Sequence, residues 1–193
     1  MESLAERIWS ELMQGNARFV SGRLRERDVI AERSAIAHGP QPKALVLACA
    51  DSRVDPDIIF DTCLGDLFVL RVAGNTVDKK NLGSMEFAIT ELNVPLAIVL
   101  GHMHCGAVKM ACAGRKVDSP YLKALIARMH AAVENARGQG DERLRFVERE
   151  NARLVARELI EHEAAVRARI QSKQLAVIPA WYNVETGVVE RLN

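Results

Sequence analysis

The feature of this sequence that most limits its possible folds is a set of short, continuous apolar runs. Residues 44–49, 68–72 and 96–100 consist almost entirely of apolar side chains and lack the alternation expected of a strand with one wet face. Runs of this kind are typical of strands covered on both faces, as in a parallel sheet flanked by helices. They therefore predict an α/β fold with a mainly parallel central sheet.

The segments around these runs complete the predicted fold. Apolar residues recur with helical spacing in 83–92 and again in 141–171, so each segment is expected to be a helix. A further apolar run at 175–178 predicts a fourth strand, and residues 188–190 follow a turn as a candidate edge strand. The chain has 193 residues, a length that suits one domain. We expect a single domain over residues 1–193, with about four to five strands flanked by helices.

Residues 1–40 are interpreted as an N-terminal helical arm, placed in a dimer interface. Its first part has an amphipathic pattern expected to end near Gly15, and a short helix is expected around 28–37. The apolar stripe of the first helix consists of Leu4, Ile8, Trp9, Leu12 and Met13. Because a polar segment separates this stripe from the sheet, we expect it to pack across a partner subunit. Docking on its own sheet is the alternative.

Charge and hydropathy argue against several classes of partner. The 26 Lys and Arg residues nearly balance the 25 Asp and Glu residues, so no overall field attracts nucleic acid or an anionic membrane. No apolar run approaches the roughly 18–20 residues of a membrane helix. The charged N-terminal residues do not resemble a secretory signal. We therefore expect a cytoplasmic protein with no nucleic-acid or membrane partner.

Two clusters of polar residues follow the first and third apolar runs. The sequence Cys-Ala-Asp-Ser-Arg occupies 49–53, and Gly-His-Met-His-Cys-Gly occupies 101–106. The carboxyl ends of parallel strands share one edge of a sheet, so the clusters are expected to meet there. Together they offer two thiols, an imidazole and a carboxylate, which suit Zn²⁺ better than Ca²⁺ or Mg²⁺. For each cluster alone, the alternative is ordinary burial of its cysteine and histidine.

His102 and His104 compete as the histidine ligand. His104 is adjacent to Cys105, and neighbouring side chains on an extended chain point apart, so His102 is the easier partner for Cys105. Cys63 and Cys112 have no neighbouring ligand set and are expected to be packing residues. The four cysteines are interpreted as thiols or metal ligands rather than as a disulfide framework.

The two clusters resemble the ligand motifs C-x-D-x-R and H-x-x-C of the β-class carbonic anhydrases. Three stretches are also similar to this family in order and spacing: residues 65–75, 83–87 and 101–107. Weaker similarity covers 15–19 and 186–189, so the resemblance extends over nearly the whole chain. The two ligand motifs together are highly specific, whereas the other stretches are modestly so.

The resemblance implies one zinc ion per chain, held by Cys49, His102 and Cys105, with Asp51 or water in the fourth position. It implies the reversible hydration of carbon dioxide to bicarbonate and a proton. Arg53 is expected to hold the Asp51 carboxylate in a bidentate ion pair, so that these two catalytic residues gate the metal. A homodimer or a larger assembly of dimers is expected as well.

Two positions depart from the family pattern. In the family, a glutamine at the position of Pro40 commonly donates a hydrogen bond to the substrate. Either the neighbouring Gln41 takes this role, or the hydrogen-bond donor to the substrate is missing. Gly106 is the other expected substrate-binding residue. A tryptophan of the family's regulatory bicarbonate pocket is replaced by Val46, so we interpret that pocket as absent. Arg71 matches a residue of that pocket in the family. Here it is expected to form a structural ion pair instead, for example at a subunit interface.

Two rival functions remain open at this point. Hydrolysis of carbonyl sulfide or carbon disulfide would use the same metal site on a similar linear molecule. A non-catalytic protein that binds zinc or bicarbonate would account for Pro40. The Asp51–Arg53 pair argues against this second rival, because a purely structural zinc needs no device for opening its fourth position.

Overall fold

A five-stranded sheet forms the centre of the computed structural model, which describes residues 2–39, 41–162 and 164–193. The strands are β1 (Ala44–Ala48), β2 (Leu67–Arg71), β3 (Leu96–His102), β4 (Ala176–Tyr182) and β5 (Val189–Arg191). Their order in the sheet is β2-β1-β3-β4-β5. Neighbouring strands are parallel except β4 and β5, which are antiparallel. The predicted mainly parallel sheet with an edge strand is confirmed.

The register of the two central strands brings their carboxyl ends together. Both β1 and β3 are buried throughout, and Ala48 lies opposite Leu100 in the parallel pair. Cys49 directly follows β1, and His102 is the last residue of β3. The two polar clusters of the sequence therefore begin side by side at one edge of the sheet, as the parallel arrangement predicts.

The helices expected from apolar periodicity are present, with shifted ends. They are α1 (Leu4–Val20), α2 (Val29–Ala35), α4 (Lys79–Thr90), α8 (Gly140–His162) and α9 (Ala164–Gln171). Helix α4 starts earlier than predicted because the Asp78 carboxylate accepts hydrogen bonds from the N–H groups of Lys80 and Asn81. The segment predicted as one helix over 141–171 corresponds to α8 and α9, and residue 163 lies outside the described residues.

Several short helices were not predicted from the sequence. They are α3 (Pro56–Ile59), a 3-10 turn (Ala73–Asn75), α5 (Gly106–Cys112), α6 (Pro120–Ala127) and α7 (His130–Glu134). None is long enough to repeat an apolar pattern over several turns, which is the signal that periodicity provides. Helices α5 to α7 nevertheless matter for the site, because their apolar residues pack in one cluster with Cys49 and Cys105.

Apart from Leu4, which is 53% exposed, the apolar stripe of α1 packs on the sheet of its own chain. Ile8, Trp9 and Leu12 are at most 8% exposed, and they share a core cluster with Val46 and Ile98. The expectation that a partner subunit covers this stripe is therefore wrong. The polar segment that follows α1 is long enough to let the helix fold back, so the chain buries the stripe itself.

Helix α1 also continues past Gly15, where the sequence predicted its end. A Cβ atom at Gly15 would lie 1.8 Å from the carbonyl oxygen of Phe60, so the glycine permits a close approach of two backbones. The next residue, Asn16, fixes this contact by donating hydrogen bonds to the carbonyl oxygens of Ile59 and Gly187, at 3.1 and 2.8 Å. The glycine is thus a packing residue inside the helix and not a stop signal.

The exposed segment, residues 21–39, contrasts with α1. None of its residues is buried, and Val29 and Ile30 of α2 are 52% and 63% exposed. The short helix predicted around 28–37 is present, with Asp28 as its N-cap. The place of residues 1–40 in a dimer interface stays a prediction.

Among the described helices, none combines the length and the apolar character that a membrane crossing requires.

Candidate metal centre

Three predicted ligands converge at the carboxyl edge of the sheet. Cys49, His102 and Cys105, here called the ligand cluster, bring one sulfur or nitrogen atom each to within 4.8 Å of the others. Cys49 follows β1, His102 ends β3, and Cys105 is the N-cap residue of α5. Their exposed fractions are 4%, 0% and 1%. The donor set is therefore assembled in the interior of one chain.

The orientation of His102 leaves one ring nitrogen available. Nδ1 lies 2.9 Å from the carbonyl oxygen of Met103, and because a carbonyl can only accept, Nδ1 carries the proton. Nε2 then has a lone pair, is buried, and finds no hydrogen-bond partner among the described residues. His104, the competing histidine, adopts φ 57° and turns its ring towards Glu185, at 3.3 Å. The choice of His102 over His104 agrees with this geometry.

The two thiols of the ligand cluster influence one another. Their sulfur atoms are 4.0 Å apart, and a hydrogen bond from Cys105 lowers the pKa of Cys49 to about 4 despite its burial. The same hydrogen bond, together with burial, raises the pKa of Cys105. Backbone N–H groups of Asp51 and Gly74 also donate to the sulfur of Cys49, at 3.4 and 3.3 Å. The hydrogen bonds thus favour a thiolate at Cys49, and burial disfavours a second thiolate at Cys105.

This donor set fits zinc. Two sulfur atoms and one imidazole nitrogen are the borderline-soft ligands that Zn²⁺ takes in a tetrahedron, and three of them leave one position open. A buried imidazole lone pair without a partner carries a desolvation cost, which a bound cation would offset. The residues present therefore suit a zinc site of the catalytic rather than the closed structural type.

Asp51 lies outside the ligand cluster and is held by Arg53. The guanidinium donates from Nε to Oδ1 and from Nη2 to Oδ2, at 3.0 and 2.8 Å, and the backbone N–H of Arg53 also reaches Oδ1, at 2.9 Å. These hydrogen bonds lower the pKa of the Asp51 carboxyl well below its usual range. Arg53 Nη2 also donates to the carbonyl oxygen of His104, which ties the two ligand loops together.

Arg71 has a different role from the ion pair that the sequence suggested. Its Nε donates to the carbonyl oxygen of Cys49 at 3.2 Å, and its Nη2 donates to that of Asp51 at 2.6 Å. Within the described part of this chain, Arg71 makes these backbone contacts and no ion pair, because it ends β2 next to the loop that follows β1. Arg71 therefore holds the first ligand loop in place. An ion pair at a subunit interface stays a prediction.

The two predicted substrate-binding residues lie in different places. Gly106 is exposed and directly follows Cys105, and a Cβ atom there would meet nothing within 4 Å. Gln41 is exposed and precedes β1, whereas Cys49 follows it. The five residues of β1 span about 16 Å, so the structure does not bring Gln41 to the ligand cluster of its own chain. The prediction about Pro40 lies outside the described residues.

Gly74 is a residue of the site that the sequence reasoning missed. It has φ 68°, and a Cβ atom there would lie 2.9 Å from the sulfur of Met129, so the position suits glycine. Its N–H points at the sulfur of Cys49. The signal in the sequence is the glycine in the stretch 65–75, which is similar to the family in order and spacing. Cys63 and Cys112 stay outside the ligand cluster, as predicted.

The fold and the site define a parallel α/β protein with a buried donor set for a metal at the carboxyl edge of its sheet. The sequence model of the family described as "Carbonic anhydrase" matches residues 44–189. Carbonic anhydrase 2 of Mycobacterium tuberculosis (strain CDC 1551 / Oshkosh) is 38% identical over 183 residues, which cover 93% of this chain and 88% of that protein. These matches span most of the chain and include both ligand motifs.

Solved structures give the same result. The β-carbonic anhydrase of Coccomyxa, in complex with acetazolamide, is 25% identical with a TM-score of 0.77, covering 84% of this chain and 77% of that one. A tetrameric β-carbonic anhydrase of Sordaria macrospora has the same fold at 22% identity, with a TM-score of 0.76 and coverage of 83% and 85%. The chain therefore belongs to the β-class carbonic anhydrases. Because carbonic anhydrases are lyases, the prediction that it is an enzyme is confirmed.

Proposed function

We propose that this chain catalyses the reversible hydration of carbon dioxide to bicarbonate and a proton, with one zinc ion held by Cys49, His102 and Cys105. The observation that carries the proposal is the buried cluster of two thiols and an imidazole whose Nε2 has no described hydrogen-bond partner. Bound there, zinc would supply a Lewis acid that lowers the pKa of a water molecule towards neutrality. The fit of the donor set and membership of the family support this assignment.

Asp51 and Arg53 are the catalytic pair in this proposal. The bidentate hydrogen bonds from Arg53 keep the carboxylate ionised and turned to the guanidinium, so it can accept a hydrogen bond from the reacting water and orient it. If Arg53 releases it, the same carboxylate can become a fourth ligand and close the site. The pair therefore acts as a gate, and its closed form would be inactive.

Gly106 and Gln41 are proposed to serve the substrate in different ways. The absence of a side chain at Gly106 leaves space beside Cys105 for a small linear molecule. Gln41 cannot reach the ligand cluster of its own chain across β1. A role in substrate binding therefore requires that a second copy of the chain supplies this amide.

We also propose a homodimer, or an assembly of dimers, that covers the exposed segment. The apolar side chains of Val29 and Ile30 are more than half exposed, and contiguous exposed apolar surface favours association. The related protein of Sordaria macrospora is tetrameric. We propose a cytoplasmic location, where the reducing environment would keep the two neighbouring thiols of the ligand cluster from forming a disulfide.

Stopped-flow measurement of carbon dioxide hydration, with zinc analysis on the same sample, tests the proposal. We expect about one zinc per chain and hydration well above the rate of the buffer alone. Zinc without hydration would favour the non-catalytic alternative. Faster turnover of carbonyl sulfide or carbon disulfide than of carbon dioxide would favour the hydrolase alternative.

A further inference from the structure

Two polar side chains of helix α8 are buried beneath the ligand loops. Glu148 and Asn151 are each 1% exposed, and they lie three residues apart, so they share one face of the helix. Most polar side chains of this long charged helix can reach solvent, but these two face the sheet. Buried polar groups are costly unless they are hydrogen-bonded, so their partners indicate why they are there.

Glu148 reaches the second ligand loop. One carboxylate oxygen accepts a hydrogen bond from the backbone N–H of Cys105 at 3.0 Å, and the other accepts one from Trp181 Nε1 at 3.3 Å. Two donors thus converge on one side chain. Only a carboxylate offers an acceptor to both, because a glutamine amide would turn an NH₂ group towards one of them.

Asn151 reaches the first ligand loop through Gly74. Its Nδ2 donates to the carbonyl oxygen of Gly74 at 2.8 Å. The N–H of the same glycine donates to the sulfur of Cys49. The carbonyl and the N–H of Gly74 belong to successive peptide groups that share one Cα atom, so anchoring the carbonyl restricts the backbone that carries the N–H towards the thiolate.

We propose that Glu148 and Asn151 are positioning residues of the metal centre, which together tie both cysteine ligands to one turn of α8. Glu148 places Cys105 through its backbone, and Asn151 places the Gly74 N–H against Cys49. The distance between the two sulfur atoms is then set before the metal arrives. The inference rests on the proposed zinc site and adds two residues that neither ligand motif contains.

Zinc affinity is the direct test, measured by competition with a chromogenic chelator of known affinity. Glu148→Gln and Asn151→Leu keep the side-chain volume nearly constant while each removes one anchoring hydrogen bond. We expect each variant to bind zinc about 10–100-fold more weakly than the wild type, the usual effect of losing an outer contact to a ligand. In the cobalt-substituted proteins, the thiolate-to-cobalt charge-transfer band should shift or weaken, because the sulfur atoms are displaced.

Matched substitutions separate positioning from general stability. Asn16→Leu also removes a buried asparagine that binds backbone carbonyls, but these belong to Ile59 at the end of α3 and to Gly187 in the turn before β5, and neither residue contacts a zinc ligand through Asn16. Glu150→Gln changes a carboxylate on the same helix that pairs with Arg153. Both controls should keep the wild-type zinc affinity and cobalt spectrum, even where Asn16→Leu lowers the unfolding temperature.

A double substitution tests the geometry at Glu148. Trp181→Phe removes the indole donor, so a glutamine at position 148 can then turn its only acceptor towards the N–H of Cys105. Glu148→Gln combined with Trp181→Phe should therefore bind zinc more tightly than Glu148→Gln alone. A purely additive result would overturn the proposed role of Glu148.

The outcomes distinguish this inference from the function on which it rests. If the wild type holds no zinc, the proposed function fails first. If the wild type binds zinc tightly and Glu148→Gln and Asn151→Leu bind it equally well, the positioning role is wrong while the function stands. If Asn16→Leu weakens zinc binding as much as Asn151→Leu, the effect belongs to general stability and the inference is overturned.

Discussion

Two arginine–carboxylate pairs with nearly the same geometry lie in very different parts of this chain. Arg53 binds both oxygens of Asp51 at 3.0 and 2.8 Å, and Arg27 binds both oxygens of Glu32 at 3.0 and 2.6 Å. The first pair borders the buried ligand cluster, whereas the second lies in the exposed segment, where no residue is buried. The same type of bidentate ion pair can thus belong to a reaction site or can simply join two residues of one exposed segment.

The surroundings of each pair make the difference. The loops at the ligand cluster are held by contacts from residues far away in sequence, including Arg71 from β2 and the bond of Arg53 to the carbonyl of His104. In the exposed segment, Arg27 and Glu32 are only five residues apart, and the distant contacts of Glu32 are with the N–H of Leu64 and the side chain of the neighbouring Cys63. At the ligand cluster, such long-range contacts fix the position of the Asp51 carboxylate beside the zinc ligands, which catalysis requires.

The largest expected effect comes from removing the ligand cluster itself. Cys49→Ala and Cys105→Ala each take away a strong thiolate ligand, so zinc content and carbon dioxide hydration should both fall to background. Cys63→Ala, beside the exposed segment, should leave both unchanged, because Cys63 lies outside the ligand cluster. Zinc analysis and stopped-flow assays provide the measurement. Full zinc occupancy in both ligand variants would refute the site.

The two arginine pairs can be compared directly by the same substitution. Arg53→Ala should lower the rate of hydration by about 10–100-fold, because Asp51 is no longer held away from the metal or oriented towards the reacting water. Zinc content should stay near that of the wild type. Arg27→Ala removes an equally well-formed pair and should leave hydration unchanged. Equal losses of activity in both variants would erase the distinction drawn between the regions.

The contrast also explains which parts of the fold and of the site could be predicted from the sequence. Strands β1 and β3 and the ligand motifs were predictable because each is a local pattern: an apolar run followed by polar residues in fixed spacing. The hydrogen bond from the N–H of Cys105 to Glu148 spans 43 residues, and that from Asn151 to the carbonyl of Gly74 spans 77. No local pattern encodes such contacts, and the charges around them on α8 concealed both residues.

Two residues have contacts that their local sequence does not indicate. Gly15 looked like a helix end because glycine often terminates helices, but it permits contact with the backbone of Phe60. Arg71 was expected to find a charged partner, but its donors meet the carbonyl oxygens of Cys49 and Asp51. In each case a tertiary contact decided the role of a residue whose local sequence suggested another.

A smaller effect is expected when the exposed segment is altered at its apolar residues. Ile30→Glu places a charge where a dimer contact is proposed, so light scattering at micromolar concentration should show the mass falling from dimer to monomer. Tyr121→Glu changes an exposed aromatic residue on α6 and should leave the dimer intact. A monomeric wild type would remove the proposed assembly altogether, and with it the only route by which Gln41 could reach a ligand cluster.

The smallest effect concerns the Arg27–Glu32 ion pair in the exposed segment and the dependence of its stabilising effect on pH. Hydrogen bonds from Arg27 and from the N–H of Leu64 lower the pKa of Glu32 to about 2. A carboxyl whose pKa is lower in the folded than in the unfolded state stabilises the fold at any pH above its unfolded-state pKa. This contribution is lost as the pH falls through its folded-state pKa. The loss should therefore occur between about pH 4.5 and pH 2.

Glu32→Gln isolates this contribution from the other acid-sensitive groups. Because the pair is partly exposed, we expect the variant to unfold only about 1–3 °C below the wild type at pH 6. The difference should shrink steadily as the pH is lowered from about 4.5 towards 2, since the wild-type carboxyl then becomes neutral as well. Any effect of acid on the ligand cluster is common to both proteins and cancels in this difference. A gap that stays constant or widens as the pH falls would show that the Arg27 pair does not act through the charge of Glu32.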